Sequence, residues 1–106
     1  MSDHTAEDVA RIRSLAALFE RSPRVRRLAA ETDPASIEDV ASEAADSLVD
    51  IHRSAELLSS ELLPRLQSQE PESAEFDDTL DDIAEELRHI HYHIVNTKLF
   101  DYVVPK

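Results

Sequence analysis

One apolar stripe in residues 73–95 constrains the fold more strongly than any other feature of the sequence. Its members are separated by four, three, four, three and four positions: Phe76, Leu80, Ile83, Leu87, Ile90 and Ile94. Because an α-helix completes a turn in about 3.6 residues, this spacing aligns all six side chains along one face. The sequence therefore predicts a long amphipathic helix here, the third main helix of the chain.

A second stripe of the same kind runs through residues 36–63. Its members are Ala41, Ala44, Leu48, Ile51, Ala55, Leu58 and Leu62. Their alternation of three and four over three heptads favours the shallow crossing of a left-handed bundle. Pro64 cannot donate a backbone hydrogen bond, so this second helix should stop or bend near residues 63–67. The polar loop with Pro71 that follows is short, which predicts that the third helix folds back antiparallel on the second.

The sequence of the first third of the chain predicts one helix that contains a break. Thr5 can cap its first turn, and Ser22-Pro23 interrupts it, because serine before proline favours a new helix start. A short second part should reach about Glu31, and Thr32-Asp33-Pro34 should end it. The predicted fold is therefore all-α.

We expect a small antiparallel helical bundle in one domain over residues 1–106. It has three main helices, with helix one broken at Ser22-Pro23. Helices two and three should pack like a left-handed coiled coil.

The composition excludes several classes of site. The chain contains no glycine, which rules out the standard phosphate loop, dinucleotide fingerprint and nucleophile elbow. It contains no cysteine, which rules out disulfides, thiolate zinc sites and thiol nucleophiles. The N-terminal residues lack the features of a signal peptide, and no apolar run reaches membrane-spanning length. We therefore predict a cytoplasmic protein without a membrane partner.

The chain carries 23 acidic and 11 basic residues, for a formal net charge of −12. This charge repels nucleic acid, so we expect no nucleic-acid partner. The composition also resembles that of cytoplasmic proteins from salt-loving organisms, in which concentrated salt screens self-repulsion. Four clustered arginines stand out against the acidity: Arg21, Arg24, Arg26 and Arg27. We interpret them as ion-pair partners of the acidic helices, with a phosphate-binding patch as the alternative.

Three of the five histidines lie in the third helix, at positions 89, 91 and 93. Helical spacing puts Glu86, His89 and His93 on one flank of the apolar stripe. A carboxylate and imidazoles one turn apart can hold a divalent metal, and Glu-x-x-His is half of a ferritin-like di-iron site. The facing helix should offer no inward carboxylate, however, because Asp50 and the other acids of helix two fall away from its apolar stripe. We therefore expect solvated histidines, no metal and no cofactor, and keep Glu86, His89 and His93 as an alternative metal site.

The segment from Arg88 to His93 has an arginine, four residues and then a histidine. It resembles the short signature of HEPN-type ribonucleases, all-α proteins that generally pair two chains around a metal-independent RNA-cleaving site. The resemblance implies that Arg88 contacts phosphate and that His93 acts near the scissile bond. A ribonuclease with Arg88 and His93 as catalytic residues is thus the second enzymatic alternative.

The function that we expect from the sequence is non-enzymatic. Apolar residues remain beyond the last helix, and they either close the core or form a patch for a second chain. We predict self-association or another protein–protein contact, most simply a homodimer in which two helical hairpins complete one core. The predicted interface residues are Leu48, Ile51, Leu58, Ile83, Leu87, Ile90, Ile94, Phe100 and Tyr102.

Overall fold

The computed structural model of the chain describes residues 5–31 and 36–103, with side chains through residue 100. Every element in these ranges is helical and none is a strand, which confirms the all-α prediction. No helix in them combines the length and apolarity that a bilayer crossing requires. Two predictions fall outside what is described, namely the break at Thr32-Asp33-Pro34 and the interface contact of the Tyr102 side chain.

The elements in chain order are α1 (Ala6–Arg21), α2 (Pro23–Glu31), α3 (Ile37–Leu57), a π-helical turn (Leu58–Leu62), α4 (Leu63–Gln67), α5 (Ala74–Asn96) and a 3-10 helix (Lys98–Val103). The Thr5 cap of α1 is present, because the Asp8 amide donates to the Thr5 hydroxyl at 3.1 Å and the Thr5 amide donates to the Asp8 carboxylate at 3.4 Å. The break between α1 and α2 is also present at Ser22. Its hydroxyl accepts a hydrogen bond from the Val25 amide at 3.3 Å and so caps α2.

The predicted bend before residue 67 takes the form of the π-helical turn. The Leu63 amide donates to the Leu58 carbonyl, five residues back, and Pro64 lies in the first turn of α4. Proline fits there because a first-turn residue needs no backbone donor. The Ser60 hydroxyl donates to the Glu56 carbonyl at 2.7 Å and satisfies a backbone acceptor at this irregularity.

The long helix predicted over residues 73–95 is α5. It begins after Ser73, whose hydroxyl accepts a hydrogen bond from the Phe76 amide at 3.1 Å. Glu75 and Asp77 lie in its first turn, where the helix dipole favours carboxylates. It ends at Asn96, at the predicted end.

The chain divides into two compact units, and α3 and α5 contribute residues to both. The first unit comprises residues 1–49 and 94–106. Its core contains Val25, Ala29 and Val40, against which the partly buried Phe19, Leu28, Ile37 and Leu99 pack. The Ser47 and Thr97 hydroxyls share a buried hydrogen bond of 2.7 Å, so the residue after α5 is held against α3.

The second unit comprises residues 50–93. Three hydrogen bonds join the two arms of this unit, and the residue number rises in the first arm as it falls in α5. They pair Ser54 with His89, Arg65 with Asp82, and Gln69 with Thr79. This order defines an antiparallel helical hairpin, as predicted from the short loop.

The buried face of the second unit coincides only in part with the predicted apolar stripes. Leu80 is 44% exposed, Leu87 is 53% exposed, and Ala55 is exposed, although all three belong to the stripes. The buried side chains include Asp50, Ser54 and Thr79 instead. The expectation that Asp50 lies away from the buried face is therefore wrong: the helix turns a polar row inward because these side chains find polar partners there.

Candidate metal centre

Three side chains with metal-ligating atoms converge in the second unit: Asp50 from α3, and His89 and His93 from α5. His89 and His93 are four residues apart, so they project from the same face of their helix one turn apart. Asp50 is only 5% exposed, and the side chain of His93 is 12% exposed. The hairpin thus brings a carboxylate of one helix to two imidazoles of the other.

The spacing of the donor atoms suits a metal ion. His93 Nε2 lies 3.3 Å from Asp50 Oδ2 and 3.1 Å from His89 Nε2, and the three donor atoms all lie within 4.8 Å of one another. Donor atoms about 2.1 Å from a metal are about 3.0 Å apart at a right angle and about 3.4 Å apart at the tetrahedral angle. The two measured edges fall between these values, so each of these two pairs of atoms has the spacing of neighbouring metal ligands.

Ser54 orients one of the imidazoles. Its hydroxyl lies 2.8 Å from His89 Nδ1, and the serine side chain is buried. When Nδ1–H donates to the serine oxygen, Nε2 keeps its lone pair and directs it at His93 and the candidate site. Outer hydrogen bonds of this kind fix the tautomer and ring orientation of histidine ligands in metal sites.

The two imidazoles stand edge to face, with ring centroids 4.6 Å apart and an interplanar angle of 79°. Their Nε2 atoms approach to hydrogen-bond distance, at 3.1 Å. Two nitrogen lone pairs repel at such a distance unless a proton or a metal ion lies between them. A hydrogen bond from a protonated Nε2 to the other ring satisfies this contact, and a divalent metal could instead engage both nitrogens and the carboxylate at once.

The donor set indicates the class of metal. Two neutral imidazoles and one carboxylate suit zinc and other first-row transition metals better than magnesium or calcium, which prefer oxygen ligands. Three protein ligands also leave at least one coordination position for water or another molecule.

The structure places the predicted metal-site residues only partly together. His89 and His93 belong to the cluster, whereas Glu86 is partly buried and is not one of its three donors. Asp50 supplies the carboxylate instead. His91, on the other flank of α5, is exposed as predicted. The metal prediction for Glu86 itself stays a prediction.

The residues of the predicted ribonuclease site lie on different sides of α5. Arg88 is exposed and pairs with Glu85, whereas His93 contacts Asp50 and His89. Residues five positions apart on a helix point about 140° away from each other. A single chain therefore does not direct Arg88 and His93 at one phosphate from this helix, and the ribonuclease interpretation stays a prediction.

Most predicted interface residues are partly buried: Leu48, Ile51, Leu58, Ile83, Ile90, Ile94 and Phe100. Leu87 is exposed. Burial within one chain does not test the interface, so the homodimer stays a prediction.

Asp50 is the residue of the candidate site that was not predicted from the sequence. It belongs to a polar row in α3, with Ser47 three residues before it and Ser54 four residues after it. This spacing is as helical as that of the apolar stripe beside it, and all three side chains are buried. The helical spacing of these polar residues could therefore have indicated the buried row, although the spacing of apolar residues alone does not.

No protein-family model, no curated protein and no solved structure matches this chain. The support for the candidate centre is therefore the geometry of Asp50, His89 and His93.

Proposed function

We propose that the protein binds a divalent transition-metal ion through Asp50, His89 and His93, and that the ion holds α3 and α5 of the second unit together. The observation that carries the proposal is the close approach of the donor atoms, with His93 Nε2 at 3.1 Å from His89 Nε2 and 3.3 Å from Asp50 Oδ2. One ligand comes from α3 and two come from α5. Binding therefore links the two helices, in the manner of a structural metal site.

Burial of the carboxylate supports this function. Removing a carboxylate from water costs several kcal/mol, to order of magnitude, unless charge or hydrogen bonds compensate. Asp50 is 5% exposed and faces two imidazoles, which are neutral when they ligate a metal. A divalent cation offsets the negative charge and satisfies both nitrogens.

The weak apolar core of the second unit gives the metal a role. Among the described residues of this unit, Leu62 is the one hydrophobic side chain in the buried class. A hairpin with so little buried apolar surface gains proportionately more from a metal link than a well-packed bundle does. We accordingly infer a non-enzymatic, metal-stabilised helical hairpin.

Cobalt(II) titration followed by visible absorption tests the metal site, because the intensity and position of the d–d bands report the ligand geometry. We expect binding at a ratio of one ion to one chain, and displacement of cobalt by zinc. Asp50→Asn and His93→Ala should each weaken binding by at least about tenfold. His91→Ala is the matched control, since it removes an exposed histidine from the same helix. Equal affinity in all four proteins would exclude the proposed site.

A second candidate function, self-association, is favoured by the exposed leucines of α5. Leu80 and Leu87 are 44% and 53% exposed, and they lie seven residues apart on one face. A partner helix can cover such a face, which fits a homodimer with a four-helix-like core. In this proposal the single domain over residues 1–106 is an antiparallel bundle whose second and third main helices cross at about 20°, as in a left-handed coiled coil.

Sedimentation equilibrium tests self-association. We expect a dimer for the unaltered chain and a shift towards monomer in Leu80→Gln with Leu87→Gln. Leu18→Gln is the control, because Leu18 is an exposed leucine of α1 outside the predicted interface. A monomer at high micromolar concentration in both low and high salt would rule the dimer out. The same salt series measures how strongly the acidic surface opposes association, because salt screens the repulsion between like charges.

A further inference from the structure

A pocket in the first unit lies between one face of α2 and the start of the 3-10 helix. It is lined by Arg24, Arg27, Leu28, Glu31, Lys98, Leu99 and Phe100. The α2 residues follow the spacing of three, one and three positions, so they share one face of that helix. The cavity is about 450 Å³, within the range of pockets that hold small molecules.

The pocket has a positive rim in an acidic protein. Three of its seven residues are cationic and one is acidic, a local balance of 3 − 1 = +2, whereas the whole chain carries −12. Charges more than about 10 Å away are largely screened at about 0.1 M salt, so the nearby cations dominate the interaction with a bound group. The two guanidinium groups can each present paired N–H donors to an oxyanion.

The floor of the pocket is apolar. Leu28, Leu99 and Phe100 are partly buried, and Leu28 and Leu99 also pack on the core of the first unit. A ligand that contacts this floor therefore continues the core outward.

The wall that carries Lys98 is held in place by hydrogen bonds to α3. The Lys98 amide donates to the Glu43 carboxylate at 3.1 Å, and the preceding Thr97 hydroxyl shares its 2.7 Å hydrogen bond with Ser47. The Phe100 amide donates to the Thr97 carbonyl at 2.9 Å. The pocket is thus formed before a ligand arrives, which lowers the entropic cost of binding.

We infer that this pocket binds a small amphipathic anion, a molecule with an apolar body of medium length and one terminal oxyanion such as a carboxylate or phosphate monoester. The apolar body lies on Leu28, Leu99 and Phe100, and the oxyanion meets Arg24, Arg27 and Lys98. This binding is separate from the proposed metal function, because every lining residue belongs to the first unit and every metal ligand belongs to the second.

Calorimetric titration with decanoate, decyl phosphate, decanol and decylamine below their aggregation concentrations tests the inference. EDTA in every sample prevents an anion from binding through a metal. We expect both anions to bind at least about tenfold more tightly than decanol and decylamine. A carboxylate and a phosphate monoester that bind unequally identify the preferred oxyanion. Equal affinity for all four compounds, or no binding of either anion, would overturn the inference.

Paired charge variants separate local contact from general electrostatics. Arg24→Gln with Arg27→Gln should weaken decanoate binding at least about tenfold and leave decanol binding unchanged. Arg21→Gln with Arg26→Gln removes the same charge from residues that do not line the pocket, and it should have little effect. Phe100→Ser should weaken binding of decanoate and decanol alike. Equal losses in the two arginine pairs would show that the pocket does not bind the anion directly.

Discussion

Among the described residues, the two compact units differ in how many hydrophobic side chains they bury. Each unit also buries three polar residues, which are Asp8, Ser47 and Thr97 in the first unit and Asp50, Ser54 and Thr79 in the second. Eight hydrophobic side chains are buried within the described ranges, and seven of them lie in the first unit: Val25, Ala29, Val40, Ala41, Ala44, Ala45 and Val49. The second unit contributes Leu62 alone, together with the buried polar residues Asp50, Ser54 and Thr79. The first unit is therefore stabilised mainly by apolar packing, whereas the second depends more on its polar contacts and on whatever those contacts bind.

The apolar core of the first unit should tolerate no charge. Ala44 is 0% exposed, and Ala44→Asp buries a carboxylate among aliphatic side chains. We expect a loss of about 4 kcal/mol or more in the free energy of unfolding, measured by urea denaturation. Ser42→Asp places the same charge on an exposed position of α3 and should change stability by less than about 0.5 kcal/mol. Similar losses in both variants would contradict the apolar-core description.

Alanine substitutions of two neighbouring leucines in the second unit should differ sharply in their effect on stability. Leu62 is 3% exposed, whereas Leu63 is 48% exposed. Leu62→Ala removes the unit's one large hydrophobic residue in the buried class and should cost about 2–4 kcal/mol in the free energy of unfolding. Leu63→Ala should cost less than about 1 kcal/mol. If urea midpoints of the two variants coincide, the second unit is packed differently from this description.

Metal should stabilise the second unit in particular. At a free zinc concentration about 100 times the dissociation constant, the free energy of unfolding should rise by about 2.7 kcal/mol. Amide hydrogen exchange should slow in residues 50–93 more than in residues 5–31. Because protons compete with metal for the imidazole nitrogens, the stabilisation should be present at pH 7.5 and decline towards pH 5.5. Stabilisation that survives in a protein carrying both Asp50→Asn and His93→Ala would assign the metal to another site.

Removal of the Ser54 hydroxyl, which orients His89, should have a smaller effect on metal binding than removal of a ligand. Ser54→Ala removes the 2.8 Å contact with Nδ1 but leaves every proposed ligand in place. We expect zinc affinity to fall about tenfold, equivalent to about 1.4 kcal/mol, because the ring loses its fixed tautomer and orientation. Ser60→Ala, which loses a hydroxyl contact to the backbone elsewhere in the second unit, is the control. Competition with a chromophoric chelator measures both affinities.

Elements and their ends could be predicted from the sequence because local chemistry determines them. Thr5 and Ser22 cap helices through their own hydroxyls, and Pro64 limits the backbone around it. These effects involve neighbours in sequence only. The apolar pattern also indicated the helical class correctly, since a helical period survives even when the limits of the buried face are assigned inexactly.

The candidate centre could be predicted only in part. His89 and His93 share a helix, so their spacing places them together. Asp50 lies 39 positions before His89 on a different helix, and it joins them through contact between the two helices. Deciding that Asp50 points inward requires knowing which side of α3 is buried. An aspartate is almost never fully buried without a partner, so the sequence favours exposure until that partner is identified.

The π-helical turn before Pro64 has a consequence for evolution and for engineering. A turn closed by a bond between residues five apart accommodates one more residue than an α-helical turn does. Deleting a single serine at position 59 or 60 would remove this extra residue and place Pro64 in an uninterrupted α-helix, where its ring clashes with the carbonyl four residues back. We therefore expect a one-residue deletion at this turn to destabilise the hairpin unless Pro64 is replaced as well.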